Sequence, residues 1–122
     1  MDLDDVALAK ITQTEHDIKL ILSQNIPVIA GIQIYSSFES DETAKTGIVP
    51  LPDTAREQLL GGHAIMLVGY DDAQKSFIVR NSWGTTWGNR GYCLMPCDYL
   101  TNPSLTGDLW MISKVGARSR TK

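Results

Sequence analysis

The sequence predicts an α+β fold in which one leading helix precedes a β-rich body. Three observations carry that reading. Apolar residues fall at helical spacing after Thr14, at Ile18, Ile21 and Leu22. β-rich runs bounded by turn residues follow, the clearest being Ala64–Tyr70 and Phe77–Arg80 around Asp71-Asp72-Ala73. At 122 residues and 13.5 kDa the chain is one domain or less.

Residues 1–13 are weakly patterned, and Asp2, Asp4 and Asp5 read as solvated. Thr14 is placed to cap a helix, with Asp17 three residues on as a short partner in a capping box. Asn25 and Pro27 end that helix, because the residue before a proline is pushed out of the helical region. Val28–Tyr35 is apolar on both sides and reads as a strand buried on both faces. Residues 36–60 read as a long surface loop, and Gly61-Gly62 as a break before the strand Ala64–Tyr70. Glycines 84, 88 and 91, interleaved with Trp83 and Trp87, predict a tightly turned stretch. Tyr92–Met95 reads as a short strand stopped by Pro96, and Leu109–Val115 as the last strand. The β-rich lobe therefore spans 14–115, with a basic frayed tail at 116–122.

Composition narrows the function. Net charge is -3, which gives no global electrostatic reason to expect nucleic acid. The longest apolar run, Ala64–Tyr70, is about a third of the ~20 residues a membrane helix needs, so no membrane partner is expected. The first ten residues carry no signal-peptide pattern. Two cysteines, Cys93 and Cys97, are too few for a disulfide framework. With His16 and His63 they give no zinc-ligand spacing, so no metal is expected.

Chemistry concentrates on the hairpin. With a three-residue turn at 71–73, Tyr70 faces Gln74, and His63 then falls opposite Asn81. Ile65 with Val79, and Leu67 with Phe77, would form an apolar floor on the same face. An imidazole held by an amide is half of a nucleophilic site: the imidazole takes a proton from a thiol or hydroxyl, and the amide fixes its ring and tautomer. Trp83 is placed to cover that hydrogen bond from water. Each residue also has a structural reading. A histidine starting a strand is often a packed core group, an asparagine at a strand end a turn residue, and tryptophans among glycines plain packing.

Two stretches discriminate between those readings. Gly62-His63-Ala64-Ile65-Met66-Leu67-Val68-Gly69-Tyr70 and Arg80-Asn81-Ser82-Trp83-Gly84-Thr85-Thr86-Trp87-Gly88-Asn89-Arg90-Gly91-Tyr92 resemble the histidine and asparagine motifs of the papain-like cysteine peptidases. Met95-Pro96, Tyr99-Leu100 and Asp108-Leu109-Trp110 resemble the C-terminal end of bacterial and viral members. The resemblance implies a papain-like cysteine proteinase fold, of which this chain matches the antiparallel β-sheet or barrel lobe. It implies that His63 is the catalytic base, Asn81 its orienting residue, and Trp83 the indole that shields them on the leaving-group side. It implies that Gly62 offers its carbonyl to substrate, and that Gly31 and Ala64 line a substrate pocket. It implies no cofactor.

One departure is large. The family's helical lobe, with a glutamine and then a Cys-Trp motif, should precede everything seen here, and residues 1–13 are too few to hold it. Cys93 follows Gly91-Tyr92, with no helix N-terminus in view to lower its pKa, so it is not expected to replace the nucleophile. A Cys93–Cys97 disulfide is disfavoured, since four extended residues span about 13 Å. The resemblance thus implies the C-terminal part of a cysteine peptidase acting on peptide or protein substrates, its other lobe supplied by the same precursor or a separate chain. The alternatives are an inactive binding or dimerisation module, whose uncovered face would favour self-association, or a gene remnant.

Overall fold

The computed structural model describes residues 7–113. In chain order the elements are β1 (Ala7–Lys10), α1 (Glu15–Leu22), β2 (Val28–Tyr35), a 3-10 turn (Ser36–Glu39), α2 (Asp41–Thr46), β3 (Leu59–Asp71), β4 (Ser76–Arg80), β5 (Tyr92–Pro96), α3 (Cys97–Thr101) and β6 (Thr106–Ser113). The six strands form one antiparallel sheet in the order β1-β6-β2-β3-β4-β5. Among the described residues, no helix is long and apolar enough to cross a membrane. The basic tail expected at 116–122 lies outside the described residues.

Local chemistry explains the leading helix. Thr14 Oγ1 accepts the Asp17 N–H at 3.2 Å and so caps α1. Thr14's own N–H is taken by the Thr12 carbonyl at 2.9 Å, so Asp17 does not close the capping box. Ile18 and Leu22 are buried, and Ile21 packs beside them. Lys19 ties the helix to the β3–β4 turn, with Nζ 2.6 Å from both Glu15 and Asp72.

β2 keeps its predicted limits, but only one of its faces is buried. Val28, Ala30, Ile32 and Ile34 enter the core, while Gly31 and Gln33 are exposed and Ile29 is half-buried. The helices α1 and α3 cover the core face, where Ile65, Leu67, Phe77, Val79, Met95 and Leu109 meet. The Tyr99 hydroxyl in α3 donates to the Gln33 carbonyl at 2.6 Å and seats that helix against β2. The opposite, outer face carries half-buried Ile29, Met66, Trp110 and Ile112 and exposed Leu8 and Val68. No second layer covers it among the described residues, which is why β2 alternates rather than being buried throughout.

The segment 36–60 is more ordered than a surface loop. It holds the 3-10 turn and α2, and Ile48 bridges in parallel to Leu94. β3 starts at Leu59, so Gly61 and Gly62 lie inside it, paired with Ile34 and Gln33. A glycine run looks like a break in sequence. Here the sheet uses it, and Gly61, at φ +131°, adopts a backbone state that side chains rarely permit. Two further elements, β1 and α3, stand where the sequence showed no strand or helix pattern.

The hairpin register also differs from the expected one. The turn has four residues, 72–75, and Asp71 pairs with Ser76. The ladder runs Tyr70 to Phe77 and Gly69 to Ile78, then shifts past Val68 to Leu67 with Val79 and Met66 with Arg80. The longer turn and the irregularity at Val68 each move the pairing. Leu67 therefore faces Val79 rather than Phe77. Continued by one residue, the register sets Asn81 across from Ile65, with His63 on the diagonal.

Candidate active site

His63 lies in β3, paired with Ile32 of β2, and its ring faces the core-side rim of the sheet. Asn81 follows the last residue of β4 and is 94% buried. The diagonal offset does not prevent contact, because side chains of this length bridge diagonal neighbours. His63 Nε2 is 2.8 Å from Asn81 Oδ1. The hydrogen bond expected from the sequence is thus present, although the register that suggested it is not.

The loop after β4 folds back to hold Asn81. Its backbone N–H donates to the Gly91 carbonyl at 2.9 Å, and the Gly91 N–H donates to Trp87 at 2.8 Å. Glycines 84, 88 and 91 all have positive φ, which explains their spacing between the tryptophans. Gly88 is the most constrained. A Cβ there would stand 2.6 Å from the Tyr92 carbonyl oxygen, and its N–H donates to Ala44 at 2.7 Å, fastening the loop to α2.

The hydrogen bonds fix the tautomer. Asn81 Oδ1 also accepts the Ser82 N–H at 2.8 Å, so the atom facing His63 is the oxygen. His63 Nε2 must then carry a hydrogen and donate it. Nδ1 of the neutral ring keeps its lone pair free to accept a proton. Asn81 Nδ2 is buried without a partner, the one such side-chain atom among the described residues.

Three rings surround this bond. Trp83, 36% exposed, lies tilted over His63 with centroids 5.0 Å apart. Phe38 and Trp87 complete the cluster from the core side. Neither was singled out as a site residue from sequence. Trp87 sits inside the glycine-tryptophan motif, but Phe38 is a lone aromatic in a polar stretch and gives no signal.

The remaining candidates sit on the other side of β3. Ala64 and Gly62 point to the outer face, and Gly31 pairs directly with Ala64. A groove of about 350 Å³ there is lined by Ile29, Ala64, Met66 and Arg80, with Asn81 at its end. Gly31 does not line it, and a Cβ on Gly31 would meet only open space. Cys93 and Cys97 are both free and buried. Burial pushes the Cys93 thiol up to about 12 and raises the Cys97 thiol as well, the reverse of what a nucleophile needs.

An imidazole that donates to a pinned amide, with an indole over the pair, has the geometry that a base in a nucleophilic hydrolase needs. Comparison with known proteins agrees with that class. The sequence matches the papain family cysteine protease pattern over residues 3–102. It is 44% identical over 101 residues to an uncharacterized peptidase C1-like protein of Acanthamoeba polyphaga mimivirus, covering 83% of this chain and 32% of that one. It is 33% identical over 87 residues to cysteine proteinase 3 of Entamoeba histolytica, covering 70% of this chain and 27% of that one. The crystal structure of xylellain, a cysteine protease from Xylella fastidiosa, superposes with a TM-score of 0.81 at 34% identity, covering 88% of this chain and 39% of xylellain. This chain belongs to the papain family of cysteine proteases and has the papain-like fold. It spans a third or less of the length of the curated relatives it matches.

Proposed function

We propose that this chain is the histidine- and asparagine-bearing C-terminal lobe of a papain-like cysteine peptidase, its β-rich unit spanning 14–115 with β1 added. The observation that carries the reading is the His63 Nε2–Asn81 Oδ1 bond, with Oδ1 pinned by the Ser82 N–H. His63 Nδ1 takes the proton of a cysteine thiol supplied by the complementary half. The thiolate attacks the peptide carbonyl carbon, and His63 returns the proton to the leaving amine. Water then hydrolyses the acyl-enzyme, with His63 as base again. Asn81 keeps the imidazolium aligned throughout, and Trp83 limits water at the pair. Gly62 offers its carbonyl to the substrate backbone, and Ala64 lines the side-chain groove, with Gly31 paired beside it but outside the lining.

The half that brings the thiol packs on the uncovered outer sheet face, with Ile29, Met66, Trp110 and Ile112, and must extend past the Asn81 end of the groove to the rim where His63 lies. The experiment mixes the purified chain with the separately produced N-terminal part of the mimivirus relative and follows a fluorogenic peptide amide. Turnover is expected in the mixture and not in either part, and His63→Ala abolishes it. Thiol-dependent turnover by this chain alone would refute the assignment.

The same uncovered face supports a second reading, a binding or dimerisation module without activity. Stable self-association of the chain that persists beside the complementary part, with no turnover, would favour it.

A further inference from the structure

We propose that Phe38 is a positioning residue for His63; the proposal rests on His63 being the base. One hydrogen bond fixes a point on an imidazole and leaves its plane free to rock. Two rings close off that freedom. Trp83 lies over His63 from the solvent side, with centroids 5.0 Å apart. Phe38, 1% exposed, meets it edge-on from the core side at 6.2 Å. Trp83 is itself held by Phe38, edge-on at 5.4 Å, and by Trp87 at 5.4 Å, and Phe38 stacks on Trp87 at 5.7 Å. Edge-to-face contacts have a preferred angle, so this set constrains orientation as well as volume.

Phe38 is fixed by its neighbour in the chain. The Ser37 N–H donates to Glu57 Oε1 at 2.8 Å, and the Ser37 carbonyl accepts from the Ser40 and Thr43 hydroxyls, both at 2.8 Å. The 3-10 turn therefore delivers a ring that cannot follow His63 if it tilts. This gives the polar stretch 36–43 a role in the site.

The test reads His63 by NMR in the 122-residue chain, with His16, exposed on α1, as internal reference. In the unmodified chain, contacts between the ring protons of Phe38 and His63 are expected, and their absence overturns the proposal. Phe38→Leu is expected to displace the His63 ring-proton signals and to speed exchange of the Nε2 proton with water about tenfold, leaving His16 in place. Phe77→Leu, a core truncation away from the rings, is the matched control. It should lower stability without moving His63. Equal His63 responses in the two variants, or none in Phe38→Leu, would reduce Phe38 to packing. These readouts are independent of turnover, so they can fail while the peptidase reading stands, and the reverse.

Discussion

His63 reaches Asn81 along the diagonal of the β3–β4 ladder, and Asn81 Oδ1 divides its acceptance between His63 Nε2 and the Ser82 N–H, each at 2.8 Å. Both donors therefore depend on a single oxygen. Asn81→Ala leaves the two without their partner, at a cost of about 1–3 kcal/mol. In the assembled peptidase the expected loss in kcat/KM is about 5- to 150-fold. Since Asn81 sits in a buried turn, stability should fall too, and thermal unfolding of the same variant separates the two effects. Unchanged kcat/KM would remove Asn81 from the mechanism.

Glu57 predicts an acid-labile clasp. Its two carboxylate oxygens accept the Ser37 N–H at 2.8 Å and the Asp53 N–H at 2.9 Å. Desolvation pulls this carboxyl up, but the N–H donors of Asp53 and Ser37 outweigh it and hold it below 4.5. A depressed folded-state pKa means stability that is present above the unfolded value and lost as pH falls through the folded one. Denaturant midpoints measured from pH 6 down to 3 should decline, and Glu57→Gln should flatten part of that decline. Parallel curves for the two proteins would contradict the clasp.

The cysteines should be silent to alkylation. Cys93 and Cys97 are buried, and the Cys93 thiol is raised to about 12. A maleimide at pH 7.5 should label neither in the folded chain and both in guanidinium. Fast labelling of the folded chain at Cys93 would reopen the question of an internal nucleophile.

Gly88→Ala tests the motif glycine. The added Cβ meets the Tyr92 carbonyl oxygen at 2.6 Å, and the backbone is at φ +62°. Neither conflict is relieved by turning a side chain, so the expected destabilisation is about 1–3 kcal/mol. Gly31→Ala, open to space, should cost less. Equal thermal midpoints for the two variants would count against the account of the loop.

The hairpin site was legible because its chemistry is written in residue types that few structures need at that spacing. Its register was not, because a four-residue turn and the irregularity at Val68 change the pairing without leaving a mark in the hydrophobic pattern. β2 was legible in extent but not in burial: a sequence written for two buried faces shows one of them bare in this chain. β1 escaped notice since its pairing is with β6, about a hundred residues away, and four residues carry no period. α3 was hidden by its length of five residues directly after Pro96. Phe38 reaches the site through tertiary contact alone, which no local pattern records.

The insertion of β6 between β1 and β2 also dictates an order of events during synthesis. β2, β3, β4 and β5 are sequence neighbours and form a meander that can pair as soon as it leaves the ribosome. Val28 must wait for Met111, its partner on the other side. Until then β2 is an open edge and β1 lacks its strand partner among the described residues, while His63 and Asn81 already belong to the part that can close first. The nascent chain thus passes through a stage with its catalytic-type pair assembled and its sheet unsealed, where a wrongly added strand would compete with β6.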